Sequence, residues 1–133
     1  MVPPAFVECR TLAFAGAYRS PGTTIIAQTQ ALWITAFLDH CIPGLDRDNS
    51  ERIKYETVLH TQFGKWRYSR GFGARFPELW FDCLPYVDLL LKDISVRNER
   101  KKSWFAERFT PYMPKDYVGI VDEYLALKEK VQQ

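Results

Sequence analysis

Residues 12–33 read LAFAGAYRSPGTTIIAQTQALW: an apolar run, a Gly-Pro loop and the first turns of an apolar helix. That is the layout of a cofactor-binding β-loop-α unit. The loop, YRSPGTT over residues 18–24, gathers a cation, several hydroxyls and a glycine at a helix N-terminus. There, backbone N–H groups and the helix dipole favour an anionic or polar ligand.

Working outward, residues 11–17 predict a short buried strand, closed by the turn chemistry of Arg19, Ser20, Pro21 and Gly22. No second strand pattern offers it a partner. Thr23 or Thr24 can cap the following helix, whose Ile25, Ile26, Leu32, Trp33, Ala36 and Phe37 continue to Cys41 before Ile42, Pro43 and Gly44 stop it. Residues 48–51 (DNSE) supply caps for a second helix to about Phe63, with a looser stripe of Ile53, Val58, Leu59 and Phe63 that should pack. Residues 64–76 mix glycines, aromatics and cations with little period and read as an ordered loop. Pro77 then starts a third helix, residues 78–94, apolar enough to be the central core helix and open to a kink at Pro85. The basic run Arg97-Asn98-Glu99-Arg100-Lys101-Lys102 reads as a solvated loop; a short segment over residues 103–108 and an amphipathic terminal helix follow it. The fold class expected is mainly α, about four helices in one domain over residues 1–133, with a short N-terminal strand.

The chain has 133 residues, 47% of them hydrophobic and 26% charged, which fits one globular domain with a sizeable core. Its net charge of +2 argues against nucleic acid or an acidic membrane surface as partner. Cys9, Cys41 and Cys83 are odd in number, widely spaced and without a C-x-x-C pair, so neither a disulfide framework nor a zinc site is expected. Cys41 and Cys83 read as buried thiols in a reducing, cytoplasmic setting. The N-terminal MVPPAFVECR lacks the charged and apolar regions of a secretory leader, and no run is long enough to span a bilayer.

The order of segments resembles the C-terminal part of flavin-containing monooxygenases. Leu12 to Gly16, then Ser20-Pro21-Gly22-Thr23 and Gln28-Thr29-Gln30-Ala31-Leu32-Trp33, are similar to that family's last strand, its loop and its helix beside the flavin. Arg75-Phe76-Pro77, Pro85-Tyr86-Val87-Asp88-Leu89-Leu90, Trp104-Phe105 and Pro111-Tyr112 resemble the tail of fungal members in particular. The resemblance implies the closing piece of an FAD domain, touching flavin through the loop and the Gln-bearing helix. Against that, flavin and nicotinamide sites need a strand-G-x-G-x-x-G-helix unit, and none occurs in these residues. Gly71-Phe72-Gly73-Ala74-Arg75-Phe76 has two of the glycines and a Phe in place of the third. By itself the chain is therefore expected to be inactive as an oxygenase, with no cofactor, or FAD only where the resemblance is still functional.

Three functions remain open at this level. One is a cofactor-independent enzyme of fungal-type secondary metabolism, a Diels–Alderase-like pericyclase or isomerase. It would bind an apolar metabolite and aim a few hydrogen-bond donors at developing charge. The others are an inactive fragment of an FAD-dependent monooxygenase and a non-catalytic interaction module, with homo-oligomerisation possible. For an enzyme, Arg19, Gln28 and the i,i+4 pair Glu56 and His60 are the candidate catalytic groups. Tyr18, Ser20, Thr23, Thr24 and Gln30 offer hydrogen bonds to a ligand, and Trp33, Trp66, Tyr68, Trp80 and Tyr86 offer aromatic walls. A Gln buried in an apolar helix needs a partner, so Gln28 or Gln30 should face a cavity or the N-terminal backbone. Asp82 and Asp88 are placed to pair with Arg67, Arg70 or Arg75.

Overall fold

The computed structural model describes residues 2–16, 22–43, 45, 50–67 and 83–131. Among them are five α-helices: α1 (Thr23–Leu38), α2 (Ser50–Arg67), α3 (Cys83–Asp93), α4 (Trp104–Phe109) and α5 (Ile120–Val131). Two 3-10 turns, Pro4–Phe6 and Pro114–Tyr117, complete the order. None of these helices is long and apolar enough to cross a membrane.

The expected N-terminal strand is absent from the described residues. Residues 10–16 run without a ladder, because no second strand among the described residues lies beside them to share their N–H and C=O groups. Gly16 ends this run at φ +78, a conformation glycine adopts without strain.

Helix α1 starts behind Gly22, not a threonine cap; Thr23 and Thr24 lie inside the helix with exposed side chains. Its buried residues, Ile25, Ile26, Thr29, Gln30, Trp33, Ala36 and Phe37, form one stripe at helical spacing. The Thr29 hydroxyl is tolerated in the core because it donates to the Ile25 carbonyl at 2.8 Å. The helix ends at Leu38, short of the expected Cys41. His40 takes a left-handed φ of +56, with His40 N–H on the Phe37 carbonyl (3.2 Å) and Cys41 N–H on that of Ala36 (2.8 Å). This is a Schellman ending formed without the usual glycine. Helix α3 closes the same way: Ser95 at φ +60, Ser95 N–H to Lys92 and Val96 N–H to Leu91.

The core lies where α1 packs on α3, with Ile26, Phe37, Val87, Leu91, Ile94 and Val96 buried between them and Tyr117, Ile120 and Tyr124 closing one side. The expected third helix is thus the core helix, although only Val87, Leu90 and Leu91 of α3 are buried and Leu84 and Leu89 face outward. Helix α2 departs further. It runs on to Arg67, so residues 64–67 are helical rather than loop, and its Tyr55, Val58, Leu59 and Trp66 are exposed rather than packed. Ion pairs along its surface, Arg52 to Glu56 at 3.0 Å and Lys54 to Glu51 at 2.7 Å, support it locally.

Candidate functional site

Two polar clusters stand out from the packing. The first is centred on Gln30, 1% exposed in the middle of α1. Its Oε1 accepts the Gly16 backbone N–H at 3.0 Å, and its Nε2 donates to the Tyr86 hydroxyl of α3 at 2.8 Å. One buried amide therefore ties the N-terminal segment to both core helices. One turn on, the Trp33 indole N–H donates to Asp93 Oδ2 at 2.9 Å while its ring stacks on Phe37. Burial pushes the Asp93 carboxyl above its usual range; the Trp33 bond opposes this, and the nearby Glu56 charge adds to it. Burial likewise raises the Tyr86 phenol, against the Gln30 bond.

The fold brings Gln30, Trp33 and Tyr86 together at the α1–α3 junction. Gln28, Thr23 and Thr24 are exposed on α1 and do not join them. Glu56 accepts from Arg52 on α2, and Trp66 is 77% exposed there. Tyr18, Arg19, Ser20, Tyr68 and Trp80 lie outside the described residues, as does the side chain of His60. Of the expected aspartate pairings, Asp82, Arg70, Arg75 and the Arg67 side chain are outside too. Asp88 is half-buried with no ion pair among the described residues, and burial raises its carboxyl, with Glu107 adding to it. Cys41 is exposed and Cys83 half-buried, so the buried-thiol expectation fails for Cys41.

Residues 97–102 form the expected loop, with Arg97, Asn98, Glu99 and Lys102 exposed, but the second cluster corrects the solvated reading for Arg100 and Lys101. The Arg100 side chain is 6% exposed and meets Glu123 through both terminal nitrogens, at 2.8 and 3.0 Å. Its remaining donors reach the carbonyls of Asp116 (2.7 Å), Arg97 (3.0 Å) and Val118 (3.5 Å). Lys101 Nζ donates to Asp116 Oδ2 at 2.6 Å and to the Pro111 carbonyl at 3.0 Å. Glu107 of α4 accepts the Lys101 backbone N–H at 2.9 Å and the Tyr112 hydroxyl, which in turn accepts the Arg100 N–H. Burial, then the Glu107 bond, pushes the Tyr112 phenol up to about 12. Such cations are hidden because their donors are met: every N–H of the Arg100 guanidinium has an acceptor, and Lys101 Nζ has two acceptors and lies 4.9 Å from the Tyr112 ring centre. Those acceptors lie up to 23 residues away, so no local pattern announces them. Beside this network is a cleft of about 250 Å³, lined in part by Arg97, Glu99, Lys102, Trp104 and Arg108.

The described residues contain no cluster of acids, histidines and cysteines able to hold a metal ion. Within the described residues both ends of the Gln30 amide are engaged by Gly16 and Tyr86.

No protein-family model matches the chain, and no solved structure matches it significantly. Curated relatives do match. The chain is 38% identical over 119 residues to the FAD-dependent monooxygenase rstn6 of Aspergillus nomiae, covering 88% of this chain and 20% of that protein. It is 35% identical over 117 residues to the FAD-dependent monooxygenase resA of Aspergillus sclerotiorum, again 88% and 20%. A FAD-dependent monooxygenase of Alternaria brassicicola matches at 30% over 115 residues, 86% of this chain and 19% of the relative. The chain is thus a sequence relative of the fungal FAD-dependent monooxygenases, spanning about one fifth of their length.

Proposed function

We propose that this chain contributes the helical segment that packs on the flavin-binding body of an FAD-dependent monooxygenase and performs no chemistry by itself. The observation that carries this reading is the match of nearly nine-tenths of the chain to one fifth of such enzymes. The polar architecture agrees with it. Gln30, Trp33 and Tyr86 brace the α1–α3 junction, which gives the segment a fixed shape to present to a larger body. Flavin binding and oxygen chemistry then belong to that body. Three free cysteines support a reducing setting, such as the cytoplasm, for it.

A cofactor-independent cyclisation or isomerisation has less support, since it needs donors aimed at a ligand and the Trp33 indole N–H is already committed to Asp93. Native mass spectrometry of the protein from its producer separates the two. Association with an FAD-carrying body is expected; a monomer holding an apolar terpenoid or polyketide would overturn the reading in favour of the cyclase.

A further inference from the structure

Helix α4 is six residues long and shows solvent an unusual face. Trp104, Phe105 and Phe109 are 70%, 66% and 66% exposed. At 100° per residue, these three and Arg108 fall on one arc of the helix, with the half-buried Ala106 and Glu107 opposite. Two i,i+4 pairs order the face: the Phe105 and Phe109 rings lie 4.7 Å apart, and the Arg108 guanidinium sits 5.5 Å from the Trp104 ring centre. Tryptophan, arginine and clustered aromatics are what interface centres are made of, and monomers rarely leave such a group uncovered.

The back of the helix is fixed. Ser103 caps it by accepting the Ala106 N–H at 3.2 Å, and Glu107 is held by the Lys101 N–H and the Tyr112 hydroxyl. The buried Arg100 and Lys101 network thereby holds four outward side chains in place before anything binds, which lowers the ordering cost of association. The rim is cationic. Lys102 and Arg108 border the cleft beside the helix, while the acidic Glu107 is turned inward; Glu99 is the one exposed acid in the cleft wall.

We infer that the aromatic face of α4 is the surface by which this segment docks, and that its occupant is an apolar pocket rimmed by carboxylates on the flavin-binding body. This rests on the proposed function. The occupant follows from two observations: four fifths of each relative lies beyond the matched segment, and the cationic rim calls for acidic complements. A second copy of the chain is the alternative occupant, and pairing the two α4 faces would bring their cationic rims together.

The test is photo-cross-linking in the producing organism, with a benzophenone amino acid at position 105 of the otherwise unaltered protein. The cross-linked peptide is identified by mass spectrometry and the flavin recovered per chain is measured. The expected product joins position 105 to an acid-containing peptide of an FAD-binding region. Phe105→Ala and Arg108→Glu, both at exposed positions and checked by circular dichroism, should each lower flavin recovery about tenfold. A cross-link to another copy of α4, or flavin recovery unchanged in both variants, overturns the docking face while leaving the proposed function intact. Failure to recover any flavoprotein with the unsubstituted chain overturns both.

Discussion

Gln30 of α1 and Tyr86 of α3 are joined by a 2.8 Å hydrogen bond across 56 residues of sequence, and the same amide holds the Gly16 N–H. A residue that the sequence offers as a ligand contact is thereby the joint of three segments. Its neighbour Gln28, two residues earlier, faces solvent.

That contrast predicts unequal mutational effects. Gln30→Leu removes the acceptor of the Gly16 N–H and the donor to the Tyr86 hydroxyl, both in part-buried bonds, and should cost about 2 kcal/mol. Gln28→Ala should stay within about 0.5 kcal/mol. Urea unfolding followed by Trp fluorescence measures both; equal losses would refute the bracing role of Gln30.

Arg100 serves one carboxylate and three carbonyls at once. Arg100→Ala strands those acceptors and should destabilise by about 3 kcal/mol. Arg100→Lys should recover less than half, because one ammonium cannot reach separated acceptors as a planar fork does. Thermal unfolding of the two variants checks the order.

The two kinds of carboxylate predict opposite responses to pH. Lys101 holds the Asp116 carboxyl below its ordinary 3.8, and Arg100 holds that of Glu123 below 4.5. Their stabilisation is full above those ordinary values and is lost as pH falls through the depressed folded ones. Amides of the Pro114–Tyr117 turn and α5 should therefore lose exchange protection in acid earlier than those of α1. Asp93 behaves the other way: its raised folded value means a penalty that sets in as pH rises past 3.8 and is complete above the folded value. Asp93→Asn keeps an acceptor for Trp33, so it should raise stability at neutral pH and leave it unchanged near about pH 3. Denaturant midpoints at the two pH values decide.

The buried hydroxyls of Tyr117 and Tyr124 have no hydrogen-bond partner among the described residues. Desolvation without compensation opposes folding, so Tyr124→Phe should stabilise by about 1 kcal/mol. A lower melting temperature for the variant would point to a partner for that hydroxyl in solution.

Much of the helical order was legible because its signals are local. The apolar stripe of α1, the apolar run of α3 and the amphipathic end of the chain each declare themselves within a few residues. The endings were less legible, since His40 and Ser95 occupy left-handed positions where glycine is the usual sign. Helix α2 misled: its apolar residues suggested a packed face, yet Val58 and Leu59 are exposed, because periodicity says that a face exists and not that anything covers it.

The sequence by itself determined a mainly helical chain, the position of its core helices, the absence of a dinucleotide fingerprint and a kinship with flavin-dependent monooxygenases. Only the tertiary structure decided which polar residues are joints. Gly16 and Tyr86 for Gln30, Asp93 for Trp33, Glu123 for Arg100 and Asp116 for Lys101 stand 14 to 60 residues away. A hydrogen bond or ion pair over that distance exists only once packing has removed water from both groups and set their geometry, so no window of neighbouring residues contains it.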